Sequence, residues 1–157
     1  MRKLLVCILA LMLLLSLSAC GEEKLECLEE WADKLGQAQL TDNKDLIGSR
    51  EEGIDSYVGS YEATCEDDSG RDVIFGGAST MERTLYVSGT IKTEKGSATV
   101  RIRLNDEVSE LTLDVNGNFG AELSLESGGN YIMVLYEDFT GTVELRSAYD
   151  TNVGNKI

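Results

Sequence analysis

The sequence contains no histidine and no proline among its 157 residues. Without histidine it lacks the commonest general base, the Ser-His-Asp triad and the usual zinc sites. Without proline it has no ring-fixed turn and no cis X–Pro bond, so the 16 glycines must supply the turns. The serines lack a G-x-S-x-G elbow, and no phosphate-cradling glycine loop leads into Lys and Ser/Thr. We therefore expect a protein that is not an enzyme and carries no cofactor.

Basic residues are scarce, because 14 Lys and Arg face 28 Asp and Glu and leave a net charge of −14. This balance argues against nucleic acid as a partner, since nucleic acid requires basic patches. It also argues against a chain that lies flat on anionic lipid. The charge fits solubility, a cationic partner or loose binding of cations.

The first 19 residues have the three parts of a secretory signal. A positive start, Arg2 and Lys3, precedes an apolar run over residues 4–15, and small residues follow up to Ala19. The apolar run is too short for a stable transmembrane helix. One interpretation is an ordinary signal peptide that is cleaved near Ala19, with Cys20 playing no part.

The motif Leu17-Ser18-Ala19-Cys20 ends this stretch and resembles the lipobox of bacterial lipoproteins. The resemblance implies cleavage before Cys20, a diacylglycerol on its sulfur and often another acyl chain on its new amino group. Two or three chains hold a protein firmly on a membrane, since each buried CH₂ contributes about 0.8 kcal/mol. We expect anchoring through the lipid on Cys20 to the extracytoplasmic face of the cell membrane.

Two cysteines remain after Cys7 leaves with the signal and Cys20 is lipidated. In an exported chain, Cys27 and Cys65 suggest a disulfide. Such a bridge would close a loop of roughly 38 residues and stabilise the fold by about 4 kcal/mol in the chain-entropy model. Two free thiols are the alternative.

Residues 22–39 have the periodicity of an amphipathic helix. Leu25, Leu28 and Leu35 fall on one stripe at steps of three and four. The polar face is mostly acidic, so the stripe is expected to pack on the protein's own domain or on a partner rather than on lipid. Residues 41–55 are polar and weakly patterned, which suggests a linker.

From residue 57 onward the apolar period changes to two, which predicts strands. The turn Asn116-Gly117 predicts a hairpin between its flanking strands. Short strands at regular spacing indicate an antiparallel β-sandwich, although a barrel would use the same signals. The predicted strands cover residues 57–65, 72–75, 84–92, 98–104, 110–115, 119–125, 131–136 and 142–146.

Residues 85–145 contain the runs Asp114-Val115-Asn116-Gly117-Asn118-Phe119 and Gly128-Gly129-Asn130-Tyr131-Ile132. This layout resembles bacterial Ig-like modules of surface proteins and polysaccharide-degrading enzymes, whose turns often read D-x-x-G-x-F and whose later strand opens with G-x-N-x-I. The whole chain is also similar to small lipoproteins of gut Firmicutes. The expected fold is mainly β, an antiparallel Ig-like or jelly-roll sandwich of about eight strands, preceded by one amphipathic α-helix.

The expected organisation has four parts. Residues 1–19 are a lipoprotein signal peptide, and residues 20–55 comprise the lipidated N-terminus, the amphipathic helix and a linker. Residues 56–148 form the β-sandwich, and residues 149–157 form a flexible tail.

Two acidic segments echo each other along the sequence. One contains Glu66, Asp67 and Asp68, and the other contains Glu137 and Asp138. Carboxylates are the ligands that Ca²⁺ prefers, so the two segments are weak candidates for a cation site. Asp, Ser and Gly also favour turns, and two simple turns are the alternative.

Two further patterns suggest ligands. Residues 114–118 read D-x-N-x-N, but Phe119 and Leu125 stand where an EF-hand needs glycine and glutamate. Several aromatic residues could form a platform for sugar rings, or they could pack a core. These residues are Trp31, Tyr57, Tyr61, Tyr131 and Tyr136.

The expected function is that of a non-catalytic, membrane-anchored surface lipoprotein that binds a protein or a glycan, or acts as an accessory subunit. A lipoprotein that binds Ca²⁺ or a small ligand through its acidic loops is the alternative.

Overall fold

The computed structural model describes residues 38–149, which belong to the second of the chain's two compact units, residues 32–157. The predicted signal peptide, Cys20, Cys27 and Trp31 lie outside the described residues, as do residues 22–37 of the predicted helix. Residues 38–149 contain no α-helix, and so none that could span a membrane.

The described residues form one antiparallel sheet of six strands. Its order is β1-β2-β6-β3-β4, and β5 pairs with β3 beside this path. Three strands exceed 20 residues, and each is central to the pairing. The strands are β1 (Ser49–Glu52), β2 (Gly59–Ser79), β3 (Arg83–Leu104), β4 (Glu107–Glu110), β5 (Asn118–Leu125) and β6 (Gly128–Tyr149).

The three long strands bend together and fold the sheet into two layers. Their pairing registers shift between residues 65 and 70 of β2, 93 and 97 of β3, and 136 and 141 of β6, and β2 has one further shift between residues 73 and 75. The front layer contains β1, β5 and residues 59–65, 83–93 and 139–149. The back layer contains β4 and residues 70–79, 97–104 and 128–136.

Each bend contains at least one residue with a positive φ. Asp67 has a φ of 63°, Gly96 of 70° and Asp138 of 45°. Gly96 is required by space as well, since a Cβ there would lie 2.1 Å from the Asp138 carbonyl oxygen. Bulges of this kind bend a strand and increase its twist without ending it.

The core lies between the two layers and is one continuous apolar cluster. Tyr61 of the front layer reaches across it to Tyr136 of the back layer, with 2.7 Å between their hydroxyl oxygens. This cluster confirms the predicted two-layer packing of an antiparallel sheet. Its fully buried side chains include Tyr57, Tyr61, Ile74, Phe75, Leu85, Val87, Val100, Ile102, Val134, Phe139 and Val143.

A smaller apolar cluster lies on the other face of the back layer. It contains Val73, Tyr131 and Met133, and partly buried Leu40 and Leu135 pack against it. The guanidinium carbon of Arg103 lies 4.5 Å from the centre of the Tyr131 ring.

The prediction of about eight strands is wrong, because six strands are present in the described residues. Three pairs of predicted strands are single strands with a bend. Acidic and glycine residues that indicated turns form bulges instead, as at Glu94-Lys95-Gly96 inside β3. The predicted strand at residues 72–75 is also too short, since β2 continues to Ser79.

The hairpin predicted at Asn116-Gly117 is also wrong, although a turn does form there. The Gly117 N–H donates to the Asp114 carbonyl at 3.0 Å, and the Asp114 carboxylate accepts from the Asn116 and Asn118 N–H groups at 2.7 and 2.8 Å. Strand β5 pairs with β3, not with residues 110–115. Residues 111–117 instead carry the chain from the back layer, where the Leu111 N–H donates to the Val100 carbonyl, to the front layer.

The stretch predicted as a linker, residues 41–55, belongs partly to the sheet. It contains β1, which pairs with the start of β2. Arg50 of β1 donates from Nη1 to the Ile74 carbonyl at 2.8 Å and so ties this stretch to the back layer. At the other end, Tyr149 is the last residue of β6 rather than the start of a flexible tail.

Candidate functional site

The structure brings the two predicted acidic segments together at the bend of the sheet. Asp68 pairs with Phe139 across β2 and β6, and the Asp67 N–H donates to the Thr140 hydroxyl at 3.0 Å. The two segments therefore lie close together, as their similarity in sequence suggested. They are bulges within strands rather than loops.

Four carboxylates of the bend, those of Asp67, Asp68, Glu137 and Asp138, already have hydrogen-bond partners. Lys95 Nζ lies 2.5 Å from Asp67 Oδ1, and this hydrogen bond raises the pKa of Lys95. Ser69 donates from its hydroxyl to Asp138 Oδ1 at 3.0 Å, and Ser97 lies 3.3 Å from Glu137. Glu66 contributes its N–H to the Asp68 carboxylate at 2.9 Å. In residues 38–149, no group of three or more acidic or cysteine side chains could hold a metal ion.

Cys65 lies in the core with 2% of its surface exposed and forms no disulfide within residues 38–149. Burial raises the pKa of this thiol to about 11, and the nearby Asp68 carboxylate acts in the same direction. A thiol of this kind is a poor nucleophile at neutral pH. Its predicted partner, Cys27, lies outside the described residues, so the disulfide stays a prediction.

The tyrosines proposed as a sugar platform are buried. Tyr57, Tyr61 and Tyr136 belong to the central core, and Tyr131 belongs to the smaller cluster of the back layer. The core interpretation of these four residues is therefore confirmed.

A buried polar network stands inside the core at Asp72. Its carboxylate accepts hydrogen bonds from the Tyr61 hydroxyl at 2.5 Å and from the Ile47 and Gly48 N–H groups at 2.9 and 3.2 Å. Burial, followed by the bond to Asp72, raises the pKa of Tyr61. Burial also raises the pKa of Tyr136, against a smaller opposing effect of its bond to Tyr61. The network attaches the segment before β1 to the core, so its role is structural.

A second polar cluster lies at one end of the sandwich, where β3 begins and β6 ends. We call Asp55, Arg83 and Tyr149 the rim cluster. Arg83 Nη1 donates to Tyr149 at 2.7 Å and to Asp55 at 3.1 Å, and the Tyr149 hydroxyl donates to Asp55. The Arg83 guanidinium also lies 4.8 Å from the centre of the Tyr57 ring, an arrangement that favours a cation.

The rim cluster holds its groups in fixed protonation states. Burial lowers the pKa of Arg83, but its contacts with Tyr149, Asp55 and Tyr57 outweigh burial and raise it overall. Burial, then the bond to Asp55, raises the pKa of Tyr149 to about 12, with the Arg83 bond opposing. Arg83 is thus a permanent cation and Tyr149 a neutral hydroxyl at ordinary pH.

Two clefts meet at Tyr149. The first has a volume of about 560 Å³ and lies between the start of β3 and the ends of β5 and β6. The second has a volume of about 620 Å³ and lies between β1, the start of β2 and the end of β6. The first is lined by Glu82, Arg83, Thr84, Ser124, Leu125, Glu126 and Tyr149. The second is lined by residues that include Glu51, Ile54, Val58, Ser60, Arg146, Ala148 and Tyr149.

The clefts combine carboxylates, hydroxyls and guanidinium groups with a few apolar side chains. Volumes of a few hundred cubic ångströms with a small number of placed polar groups are typical of small-ligand sites. The clefts can therefore exchange hydrogen bonds with a polar ligand and cover its apolar parts.

The sequence did not single out the rim cluster. Each of its residues stands at a boundary between predicted elements. Asp55 ends the predicted linker, Arg83 precedes a predicted strand, and Tyr149 begins the predicted tail. Strand pairing is the signal that could have revealed the cluster. Strands β3 and β6 are antiparallel, so the start of β3 lies beside the end of β6.

No protein-family model matches the chain, and no curated protein matches it. Among solved structures, the chain is similar to a carbohydrate-binding module of lichenase 5A from Cellvibrio mixtus, solved in complex with cellotriose. The identity is 8% and the TM-score 0.39, over 75% of this chain and 96% of that module. A likeness this distant carries no argument about a ligand.

Proposed function

We propose that this chain is a lipid-anchored, extracytoplasmic module that binds glycans without catalysis in the two clefts at the Tyr149 end of its sandwich. The observation that carries the proposal is the meeting of two polar clefts at the rim cluster, where charged and hydroxyl groups are held in place by one another.

The chemistry of the first cleft suits a polyhydroxylated ligand. Glu82 and Glu126 can accept hydrogen bonds from sugar hydroxyls, and Thr84 and Ser124 can both donate and accept. Hydrogen bonds to ionised groups are the stronger kind, worth about 1.5–3 kcal/mol each. Leu125 offers an apolar surface for the C–H face of a ring.

The same features favour a glycan over a protein partner. Protein interfaces need roughly 800 Å² on each side with aromatic or arginine anchors at the centre. Here the single arginine of the first cleft is already engaged by Asp55 and Tyr149. The cleft therefore offers separate polar groups around a small cavity rather than a broad apolar patch.

Binding is tested with the full chain on an array of neutral and acidic polysaccharides. The test variant is Glu126→Gln in the first cleft, and the matched control is Glu94→Gln in the exposed bend of β3. We expect the wild type and Glu94→Gln to bind the same glycan equally, and Glu126→Gln to bind it about tenfold more weakly. Failure of the folded wild type to bind any glycan would overturn the proposal, as would equal binding by both variants. Release of new reducing ends from the bound glycan would show an enzyme instead.

The anchor is the second part of the proposal, and it rests on the motif ending in Cys20. We expect intact-mass analysis of the mature protein to show cleavage before Cys20 with added acyl chains, and Cys20→Ala to release the protein from membranes. Cleavage near Ala19 with an unmodified Cys20 would support the ordinary signal peptide.

A further inference from the structure

The outer face of the front layer is rich in small hydroxyl side chains. Alternation along the strands points these residues away from the core, because each has at least one buried core residue as its neighbour in sequence. We call this surface the hydroxyl-rich face. It presents Ser60 and Thr64 of β2, Thr84, Ser88 and Thr90 of β3, Ser124 of β5 and Thr142 of β6.

One large aromatic stands on the hydroxyl-rich face. Tyr86 of β3 keeps 52% of its surface exposed, although it lies within the sheet rather than at a loop. Its cross-strand neighbours are Ala148 of β6 and Glu122 of β5. Its hydroxyl lies over Gly120, 3.2 Å from where a Cβ would stand on that glycine. Beside the ring, Ala148 contributes only a methyl group and Gly120 no side chain, whereas Glu122 carries a carboxylate.

Tyr86 is also adjacent to residues that line each of the two clefts. Thr84, which lines the first cleft, is two residues away on the same face, roughly 7 Å along the strand. Ala148, which lines the second cleft, is directly opposite Tyr86 on β6. The two clefts and the ring therefore form one strip across the end of the front layer.

We propose that Tyr86 stacks on a pyranose ring and that the ligand is a linear oligosaccharide running from one cleft to the other across this residue. This inference rests on the proposed glycan binding and deepens it. A sugar ring has an apolar C–H face that packs on an aromatic ring, while its hydroxyl edges point sideways. Over Tyr86, those edges would meet Thr84, Ser88 and Glu122.

A single exposed tyrosine in a strand is ordinary, because aromatic residues favour strands and scattered apolar residues occur on every surface. The position of Tyr86 is what distinguishes it. Ala148 and Gly120 lie beside the ring, its polar neighbours are Thr84, Ser88 and Glu122, and it is adjacent to residues of both clefts.

The proposal is tested with length series of β-linked glucose, xylose and N-acetylglucosamine oligosaccharides, from the monosaccharide to the hexasaccharide, titrated onto the full chain. We expect affinity to rise with length for at least one series. We expect Tyr86→Ala to remove that rise, a loss of about tenfold for the longest member, and to leave the shortest binding member unaffected. Tyr86→Phe keeps the ring and is expected to bind like the wild type.

The control is Val108→Ala, which trims another exposed side chain on β4 of the back layer, and unchanged thermal unfolding verifies that each variant folds. If Tyr86→Ala binds the longest member as tightly as the wild type while Glu126→Gln loses binding, the stacking role is overturned and the cleft remains. If Tyr86→Ala weakens the shortest and longest members equally, the spanning ligand is overturned. If the folded wild type binds no member of any series, the proposed function fails, and the inference fails with it.

Discussion

Two aspartates of β2, one within a bend and one just after it, show how differently one residue type is used. Asp67 is 65% exposed and pairs with the ammonium group of Lys95. Asp72 is 1% exposed and accepts its hydrogen bonds from a tyrosine hydroxyl and two backbone N–H groups. The exposed carboxylate is replaceable, because water can solvate it. The buried one is not, because its removal leaves the Ile47 and Gly48 N–H groups without the acceptor that they use.

Removal of the buried carboxylate is expected to have the largest effect. Asp72→Ala removes the acceptor of the Ile47 and Gly48 N–H groups and leaves the Tyr61 hydroxyl with Tyr136 as its partner. Each unsatisfied buried donor costs roughly 1–3 kcal/mol, so we expect the free energy of unfolding to fall by at least about 2 kcal/mol in urea titration. Asp67→Ala is the matched control and should change little. Equal losses for the two variants would contradict the contrast between them.

Three buried or half-buried tyrosines should also make the free energy of unfolding fall at alkaline pH. Tyr61, Tyr136 and Tyr149 have raised pKa values in the folded protein, so the folded chain keeps protons that the unfolded chain loses above about pH 10. Their contribution is fully present below that pH and declines as pH rises toward the pKa of about 12 that Tyr149 has in the fold.

Urea titrations at pH 8 to 11 measure this decline. Tyr149→Phe is expected to make it shallower, because the variant has one fewer group that must ionise on unfolding. A wild-type stability that stays constant up to pH 11 would contradict the raised pKa values.

The sequence was sufficient to predict the fold class but not the strand count. Alternating apolar residues such as Val100 and Ile102 face the core as their period indicates. The bends were missed because Asp67, Gly96 and Asp138 are residue types that also end strands. Whether a left-handed residue turns a chain back or only bends it depends on its cross-strand neighbours. Single-sequence patterns do not contain that information.

The candidate site was less predictable than the fold. The acidic segments attracted attention because their charges are adjacent in sequence, whereas Asp55, Arg83 and Tyr149 are far apart. The pairing of β3 with β6 brings Arg83 to Tyr149, and Asp55, which lies between β1 and β2, bonds to both. Tyr86 looked like its buried counterparts, because a tyrosine in a strand has the same pattern on either face. Only the burial of Leu85 and Val87 on each side shows which way it points.

Substitutions in the rim cluster should lower the free energy of unfolding by less than Asp72→Ala and by more than Asp67→Ala, because the cluster is half-buried. Arg83→Met removes an ion pair, a hydrogen bond and a cation–π contact but keeps the aliphatic stem. We expect a loss of about 1–2 kcal/mol by urea titration. Tyr149→Phe removes only the hydroxyl and should lose about 1 kcal/mol. If the double variant loses the simple sum of the two, Arg83 and Tyr149 are not coupled and the cluster does not act as a unit.

The exposed bend should show the smallest effect. Asp67 and Lys95 are 65% and 63% exposed, and water and salt screen such pairs. Lys95→Met is therefore expected to leave the melting temperature unchanged at physiological salt. Added Ca²⁺ is likewise expected to leave the wild-type melting temperature unchanged, because the Lys95 ammonium and the Ser69 hydroxyl already occupy the carboxylates of Asp67 and Asp138.

The calcium titration distinguishes the two uses of acidic residues at this bend. A ligand that binds only the folded state raises stability as its concentration passes its dissociation constant. A rise with millimolar Ca²⁺ that disappears in Asp67→Asn would show that the ion displaces Lys95 and that the bend is a cation site. A flat titration in the wild type, with a rise only in Lys95→Met, would show that the lysine itself keeps the ion out. Asp67 and Asp72 would then differ in what they bind as well as in their burial. The exposed carboxylate could bind a cation, whereas the buried one accepts hydrogen bonds within the protein.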